Sequence, residues 1–300
     1  MAELEFRDAL REALDEELER DERVVFIGED VAVAGGVFAV TPGLLEKHGA
    51  HRVIDTPISE LALAGAAYGS AITGLRPVVE IMFADFLPLV MDSLINQATK
   101  YWYLSNERGT APIVIRSACG AGGRFGAIHS QMPVSWLLGV PGLKIVCPST
   151  PGDAKGLLKS AIRDDNPVLF LEHKRLYSLK GETNGEPVPL GRAAVVREGA
   201  DLTIATAMKS VHDALAAAET LSAEGIEATN RLLVVEEGPA TGGWAGEVLA
   251  QVTERALGQL DVAWRLTTPD LPIPYSPSLE DAFLPGPDAI VESVRARLGS

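Results

Sequence analysis

The feature that most constrains this chain is a repeated exchange of short apolar runs for helix-length amphipathic segments. The apolar run of VVFIGEDV that ends at Gly28, 76–83 (RPVVEIMF), 111–118 (APIVIRSA), 142–149 (GLKIVCPS) and 168–174 (VLFLEHK) are the strand-like segments. Near-continuous apolar runs of this length read as parallel strands buried on both faces. Between them, Leu4, Leu10, Leu14 and Leu18 recur at helical spacing, a Gly- and Ala-rich segment runs from Ser59 to Gly74, and further helices are read over 86–104 and 153–163. Strands alternating with helices predict an α/β domain with a largely parallel sheet. Gly65 and Gly69, one turn apart, predict a helix whose backbone a neighbour approaches closely.

The polar stretch from Ser178 to Arg192 is rich in Gly and Pro and has no apolar periodicity, so a linker is placed at 181–192. It separates a first domain, 1–180, from a smaller α/β domain, 193–300, as a chain of 300 residues allows at roughly 150 residues per domain. The second domain reads as strand 201–207, helix 211–225, strand 231–238 and helix 246–257. A proline-rich extended lap (PDLPIPYSPSLEDAFLPGP) and a last helix over 287–298 follow.

Lys and Arg number 26 against 41 Asp and Glu, a formal charge of −15 that repels phosphate backbones and anionic membrane surfaces. No nucleic-acid or membrane role is expected. The least polar stretch, 61–75, falls short of the ~20 residues that span a bilayer. The N-terminal residues are charged and helix-periodic, unlike a signal peptide, and the two cysteines, Cys119 and Cys147, read as core thiols of a cytoplasmic protein. An anionic substrate would need its counter-charge from a metal, a cofactor or another chain.

Self-contained catalytic signatures are missing. There is no GxSxG elbow, Walker A sequence, GxGxxG after a first strand or HExxH, and the five histidines do not fall at zinc spacing with cysteines. Two candidates remain: Glu60 at a strand-to-helix junction (DTPISE), and His129 in a Gly-rich loop (GAGGRFGAIHSQ). Both stand where open α/β sheets bind ligands, beyond the carboxyl ends of strands. Plainer readings exist: Glu60 as a first-turn acid favouring the helix dipole, His129 as an ordinary loop histidine, Met82 and Phe86 as core, and Asp164 and Asn166 as turn formers.

Taken in order, RVIDTPISE, EIMFADF, INQATKY, GGRFGAIHSQ, PGLKIVCPSTPGDAKGLLKSAIRDDNPVLFLEHKRLY and LPIPYSPSLEDAFLP resemble the β subunit of thiamine-diphosphate-dependent 2-oxoacid dehydrogenase E1 components, relatives of transketolase. The resemblance implies a pyrimidine-binding parallel-sheet domain followed by a transketolase C-terminal-like α/β domain. It implies that Glu60 contacts N1′ of the cofactor's aminopyrimidine and shares a proton with it, while Ile58, Met82 and Phe86 pack around that ring. By the same resemblance His129 assists acyl transfer to a lipoyl group, and Glu29 and Asp92 line a tunnel joining two active sites. Ile113, Ala161, Ile162, Asp164 and Asn166 match positions that bind potassium, mainly through carbonyls. Because no GDGxxN-type sequence is present, Mg2+ and the diphosphate are expected on an α subunit in an α2β2 tetramer, with the C-terminal domain docking a lipoyl-bearing E2. The implied activity is decarboxylation of a small 2-oxoacid, pyruvate first, with acyl transfer to E2; the alternatives are an acetoin dehydrogenase β subunit and a noncatalytic E2-docking subunit.

The sequence departs from that family at two places. After HSQ it reads MPVSWLLGVPG, so Met132 and Pro133 reshape the loop beside His129, and Gly139 stands where relatives have a second histidine. Between Ile226 and Asn230 about one strand and one crossover helix are missing, through a true deletion or through residues absent from the sequence as given; a parallel crossover needs a dozen or more residues.

Overall fold

In the computed structural model, which describes residues 2–199, 202–223 and 230–298, the chain divides into two compact units. The first comprises Met1–Cys119 and Gly139–Gly191; the second comprises Gly120–Leu138 and Arg192–Ser300. The loop carrying His129 thus groups with the C-terminal unit, a long-range association that local pattern does not announce.

The first unit runs β1 (Ala2–Glu5), α1 (Phe6–Arg20), β2 (Val24–Gly28), α2 (Leu44–His48), β3 (Val53–Asp55), α3 (Glu60–Ile72), β4 (Arg76–Phe83), α4 (Leu87–Met91), α5 (Thr99–Leu104) and β5 (Val114–Cys119). Past the inserted loop, which holds the one-turn α6 (Val134–Leu137), it continues with β6 (Lys144–Val146), α7 (Pro151–Arg163), β7 (Val168–His173) and β8 (Lys180–Thr183). Six strands pair in parallel in the order β3-β2-β4-β5-β7-β6. Strands β2, β5 and β7 are buried along their whole length, which is why none shows the polar alternation of a half-exposed strand. Order reverses around β2, whose neighbours are β3 on one side and β4 on the other. Ligands of open parallel sheets sit beyond the carboxyl ends of strands at such a reversal.

Helix α1 buries Phe6, Ala9, Leu10, Ala13, Leu14 and Leu18, one face of a 3.6-residue period. It lies along α7, where Lys155 bonds Glu12 at 2.6 Å and Glu16 at 2.7 Å, and Arg163 bonds the buried Glu17 at 2.6 Å. Helix α7 begins in a capping box: Thr150 Oγ1 accepts the Asp153 N–H at 3.0 Å while the Asp153 carboxylate accepts the Thr150 N–H at 3.1 Å, with Pro151 at the first helical position.

Several elements differ from the sequence reading. The helix expected over 86–104 is broken: a 3-10 turn (Ala84–Phe86) precedes α4, and a π-helical segment (Asp92–Ala98) separates α4 from α5. Strands β1 and β8 pair antiparallel, so residues 180–183, at the start of the stretch read as linker, hold down the beginning of the chain. Short β3 joins the sheet edge unannounced. At Gly65 and Gly69 a side chain would meet nothing within 4 Å, so no described part of this chain makes the close approach that the glycine spacing suggests.

In the second unit β9 (Thr203–Ala205), α8 (Lys209–Ala223), β10 (Arg231–Pro239), α9 (Trp244–Ala256), β11 (Val262–Thr268), α10 (Pro277–Phe283) and α11 (Pro287–Leu298) follow one another. The three strands pair in parallel as β11-β10-β9. Leu221, Leu233, Val235, Trp264, Ile290 and Val294 form its main core. Strand β11 was not anticipated, and α10 lies inside the stretch expected to be an extended lap. The segment where a strand and helix are expected to be missing, 226–230, lies almost wholly outside the described residues. Among the described residues no helix is long and apolar enough to cross a membrane.

Candidate active site

Three adjacent strands of the first unit end side by side and carry the candidate residues: Glu29 directly after β2, Glu60 five residues after β3, Met82 within β4 and Phe86 in the 3-10 turn beyond it. The ends of β2 and β3 are tied together. Gly28 pairs with Asp55, whose carboxylate accepts the Ala32 N–H at 2.7 Å and the Val33 N–H at 3.3 Å. The loop after β2 turns back through Gly35 and Gly36 at φ +77° and +79°; a side chain at Gly35 would come within 2.9 Å of Pro42. That geometry requires glycine.

Glu60 is the first residue of α3 and is 8% exposed, yet its carboxylate makes no hydrogen bond or ion pair with any described residue. A buried carboxylate without a partner is costly, and the backbone N–H groups of a helix's first turn offset only part of that cost. Glu29 is its neighbour in charge. Glu29 Oε1 accepts the Ser59 N–H at 3.0 Å, and burial, together with the like charges of Glu60 and Asp30, pushes the Glu29 carboxyl above its ordinary value against that hydrogen bond. Phe86 stands edge-on to Phe83 at 6.1 Å, and Phe83 edge-on to Phe38 at 5.7 Å, an aromatic row behind the site. Met82 is half-buried, whereas Ile58 is 80% exposed.

A group that the sequence did not single out lies under this edge. Arg116 on β5 faces Glu80 on β4 in direct cross-strand register and bonds it, and its Nε and Nη2 bond both oxygens of Glu172 at 2.8 and 2.7 Å. Tyr177 donates to Glu172 at 2.8 Å, and Phe26 lies beneath the guanidinium at 5.8 Å. Burial pushes Glu80 up despite Arg116, while the two carboxylates hold Arg116 charged against its burial. Three charged residues inside otherwise apolar strands are the signal that could have found it.

Asp92 is exposed on the π-helical segment, where Asn96 and Gln97 each donate at 2.8 Å and hold its carboxyl below the usual range. The five candidate potassium residues do converge, around the end of α7 and the start of β7. The Ile113 carbonyl accepts from Val168 at 2.9 Å, the Ala161 carbonyl from Asp164 at 3.2 Å, and the Ile162 and Asp164 carbonyls from Arg76 at 3.0 and 2.7 Å. Burial works against the Asp164 carboxylate, but Lys144 and Asn166 together hold it below its ordinary value. Each of those carbonyls keeps a second lone pair, so the oxygens fit a weakly charged cation. Among the described residues no group of three or more His, Cys, Asp or Glu stands together as a metal-ion site. Cys119 is buried, and burial pushes the Cys147 thiol up to about 12, so Cys147 is not an activated nucleophile.

In the second unit the loop 120–131 closes on itself, with the Gly120 N–H on the Gln131 carbonyl at 3.1 Å and the His129 N–H on the Gly126 carbonyl at 3.4 Å. His129 is half-buried, and the next residue, Ser130, is fully buried with its hydroxyl unpartnered. A cavity of about 580 Å³ between β9, α8 and residues 193–199 contains none of the candidate residues.

A parallel sheet with an unpartnered acid at its carboxyl edge, followed by a small α/β unit, defines a transketolase-like protein. The transketolase pyrimidine-binding domain matches residues 2–180 and the transketolase C-terminal domain residues 227–290. The β subunit of acetoin:2,6-dichlorophenolindophenol oxidoreductase of Cupriavidus necator is 42% identical, covering 97% of this chain and 96% of its own. The 2-oxoisovalerate dehydrogenase β subunit of Bacillus subtilis is 42% identical, covering 98% of each, and the pyruvate dehydrogenase E1 β subunit of Porphyra purpurea is 43% identical, covering 96% and 95%. The chain belongs to this family of E1 β subunits. A solved split-gene transketolase, described as an inactive β4 tetramer, superposes with a TM-score of 0.81 over 98% of each chain at 20% identity, a likeness of fold alone. The alignment with the Cupriavidus protein spans 327 residues, more than the 300 present here, so that relative carries residues with no counterpart in this chain.

Proposed function

We propose that this chain is the β half of an α2β2 2-oxoacid dehydrogenase E1 that decarboxylates a small 2-oxoacid, pyruvate first, and passes the acyl group to the lipoyl group of an E2. The observation that carries the reading is the buried, unpartnered carboxylate of Glu60 at the N-terminus of α3, beyond the edge of β3-β2-β4. An aminopyrimidine ring nitrogen is the complementary partner such an acid lacks, and the half-buried Met82 and Phe86 supply apolar surface for the ring. Thiamine diphosphate, when bound, supplies the electron sink for loss of CO2. Glu60 holds and returns a proton at N1′ of that ring. His129 serves proton transfer as the acyl group leaves for the lipoyl thiol, since a neutral imidazole suits that task near pH 7. Mg2+ and the diphosphate are held by the α subunit, whose cationic share offsets the charge of −15 carried here. Potassium at the Ile113, Ala161, Ile162, Asp164 and Asn166 turn steadies the base of β7, and the protein works in the cytoplasm.

Acetoin is the second substrate to test, because acetoin and 2-oxoacid relatives match almost equally at 42 and 43% identity. The chain coexpressed with its α subunit is assayed with pyruvate, 3-methyl-2-oxobutanoate and acetoin, alongside the β chain alone. Turnover of one substrate by the pair and none by β alone is expected. Tight thiamine diphosphate binding and decarboxylation by β alone would overturn the division of labour.

A further inference from the structure

A loop that presents a reacting imidazole must be held in one conformation, and here the holding groups lie far away in sequence. Glu280, in α10, is fully buried. Its Oε1 accepts the Gly122 N–H at 3.0 Å; its Oε2 accepts the Arg124 N–H at 3.3 Å and the Arg124 guanidinium. Asp281 takes the other guanidinium nitrogen at 2.8 Å, and Glu237, near the end of β10, accepts the Ala121 N–H. Tyr275 covers the far side, where a side chain on Gly126 would sit 3.4 Å from its ring. The held backbone is unusual. Gly120, Gly122 and Gly126 have φ of +86°, +83° and +71°, and Arg124, with a side chain, has φ +63°. A non-glycine residue persists there only where its surroundings over-determine it, and two backbone N–H groups and one guanidinium converging on a single buried carboxylate do so.

We propose that Glu280 and Arg124 are positioning residues for His129: the buried carboxylate clamps residues 122–124, and through the closed loop 120–131 fixes where the imidazole stands for acyl transfer. The proposal rests on the reading of His129 given above. The side-chain contacts of Glu280 are to Gly122 and Arg124, so its proposed effect passes through the loop to His129.

The test uses the α/β assembly with E280Q, R124Q, H129A and the E280Q/H129A double variant, followed by amide hydrogen exchange over 120–131 and by acyl transfer to a lipoyl acceptor. E280Q and R124Q should each speed exchange in that segment, and E280Q should slow transfer about tenfold, since small displacements of a reacting group cost that much or more. In the H129A background E280Q should cost nothing further, because residues acting through one group are not additive. R124Q removes only the partly exposed arm, so it remains informative if E280Q fails to fold. Unchanged exchange over 120–131 in R124Q, or a full additional loss in the double variant, overturns the clamp. Should the wild-type assembly turn over no substrate, the functional reading falls, whereas the clamp still stands or falls on exchange.

Discussion

Glu29 accepts the backbone N–H of Ser59 at 3.0 Å, so the acid that ends one strand pins the residue before Glu60 at the start of the next helix. Two carboxylates are thereby held near each other at adjacent strand ends, and neither has a cation within the described residues to neutralise it. Such an arrangement is poor for stability.

Replacing Glu60 with Gln keeps the shape and removes the acid. Turnover of the α/β assembly should fall by about 10²- to 10⁴-fold, the usual worth of a general acid–base group. Because the Glu60 carboxylate bonds to no described residue, the thermal midpoint should hold or rise slightly. A variant with unchanged turnover would eliminate the catalytic reading and favour a noncatalytic docking subunit.

The Glu29 carboxyl is raised on folding, which fixes the sign of a pH effect. Between its unfolded value, near 4.5, and its raised folded value the native state binds more protons, so this residue's contribution to stability falls as pH rises through that window. Glu29→Gln keeps an oxygen for the Ser59 N–H and abolishes the titration. Urea unfolding from pH 4 upward, at roughly one-unit steps, should show the variant gaining on the wild type as pH increases. A difference that stays flat across the range would show that Glu29 does not titrate there.

How much of this was legible beforehand depended on what each residue answers to. Strand 76–83 and the last helix, 287–298, coincide with β4 and α11 because one is a run buried at every position but Met82 and the other opens with Pro287 at its first position. Val53–Asp55 is too short to carry a pattern, and VAWRLTT mixes exposed and buried positions, so β3 and β11 were not anticipated. The proline-rich stretch hid α10, although Pro277 at its first turn is a start signal as much as a breaker. Glu60 stood out only as a junction acid; its role came from resemblance to a family. Glu280 carried no local signal at all, since its partners lie more than 150 residues away.

Arg116 is the one buried cation facing Glu80 and Glu172 among the contacts described, and removing it strands two carboxylates. Arg116→Met should cost about 3–5 kcal/mol, the range for breaking a buried ion pair from one side. Adding Glu80→Gln and Glu172→Gln should recover much of that loss, because the uncompensated charges then vanish. Denaturant midpoints of the single and triple variants decide it; a triple variant no more stable than the single one would mean that shape, not charge, holds these strands together.

Potassium makes a prediction that is independent of turnover. The oxygens of Ile162 and Asp164 are shared with Arg76, so a bound cation and the guanidinium sit on the same turn, and only a weakly charged, loosely coordinated ion tolerates that neighbour. At constant ionic strength, exchanging tetramethylammonium for potassium should raise stability, by about 2.7 kcal/mol when the ion is at a hundred times its dissociation constant. Asn166→Ala together with Asp164→Ala should erase the difference, since these substitutions remove the side chains that shape the turn. Identical thermal midpoints in the two salts would assign the turn to Arg76, Lys144 and Asp165 alone, a site whose cations are all supplied by the chain itself.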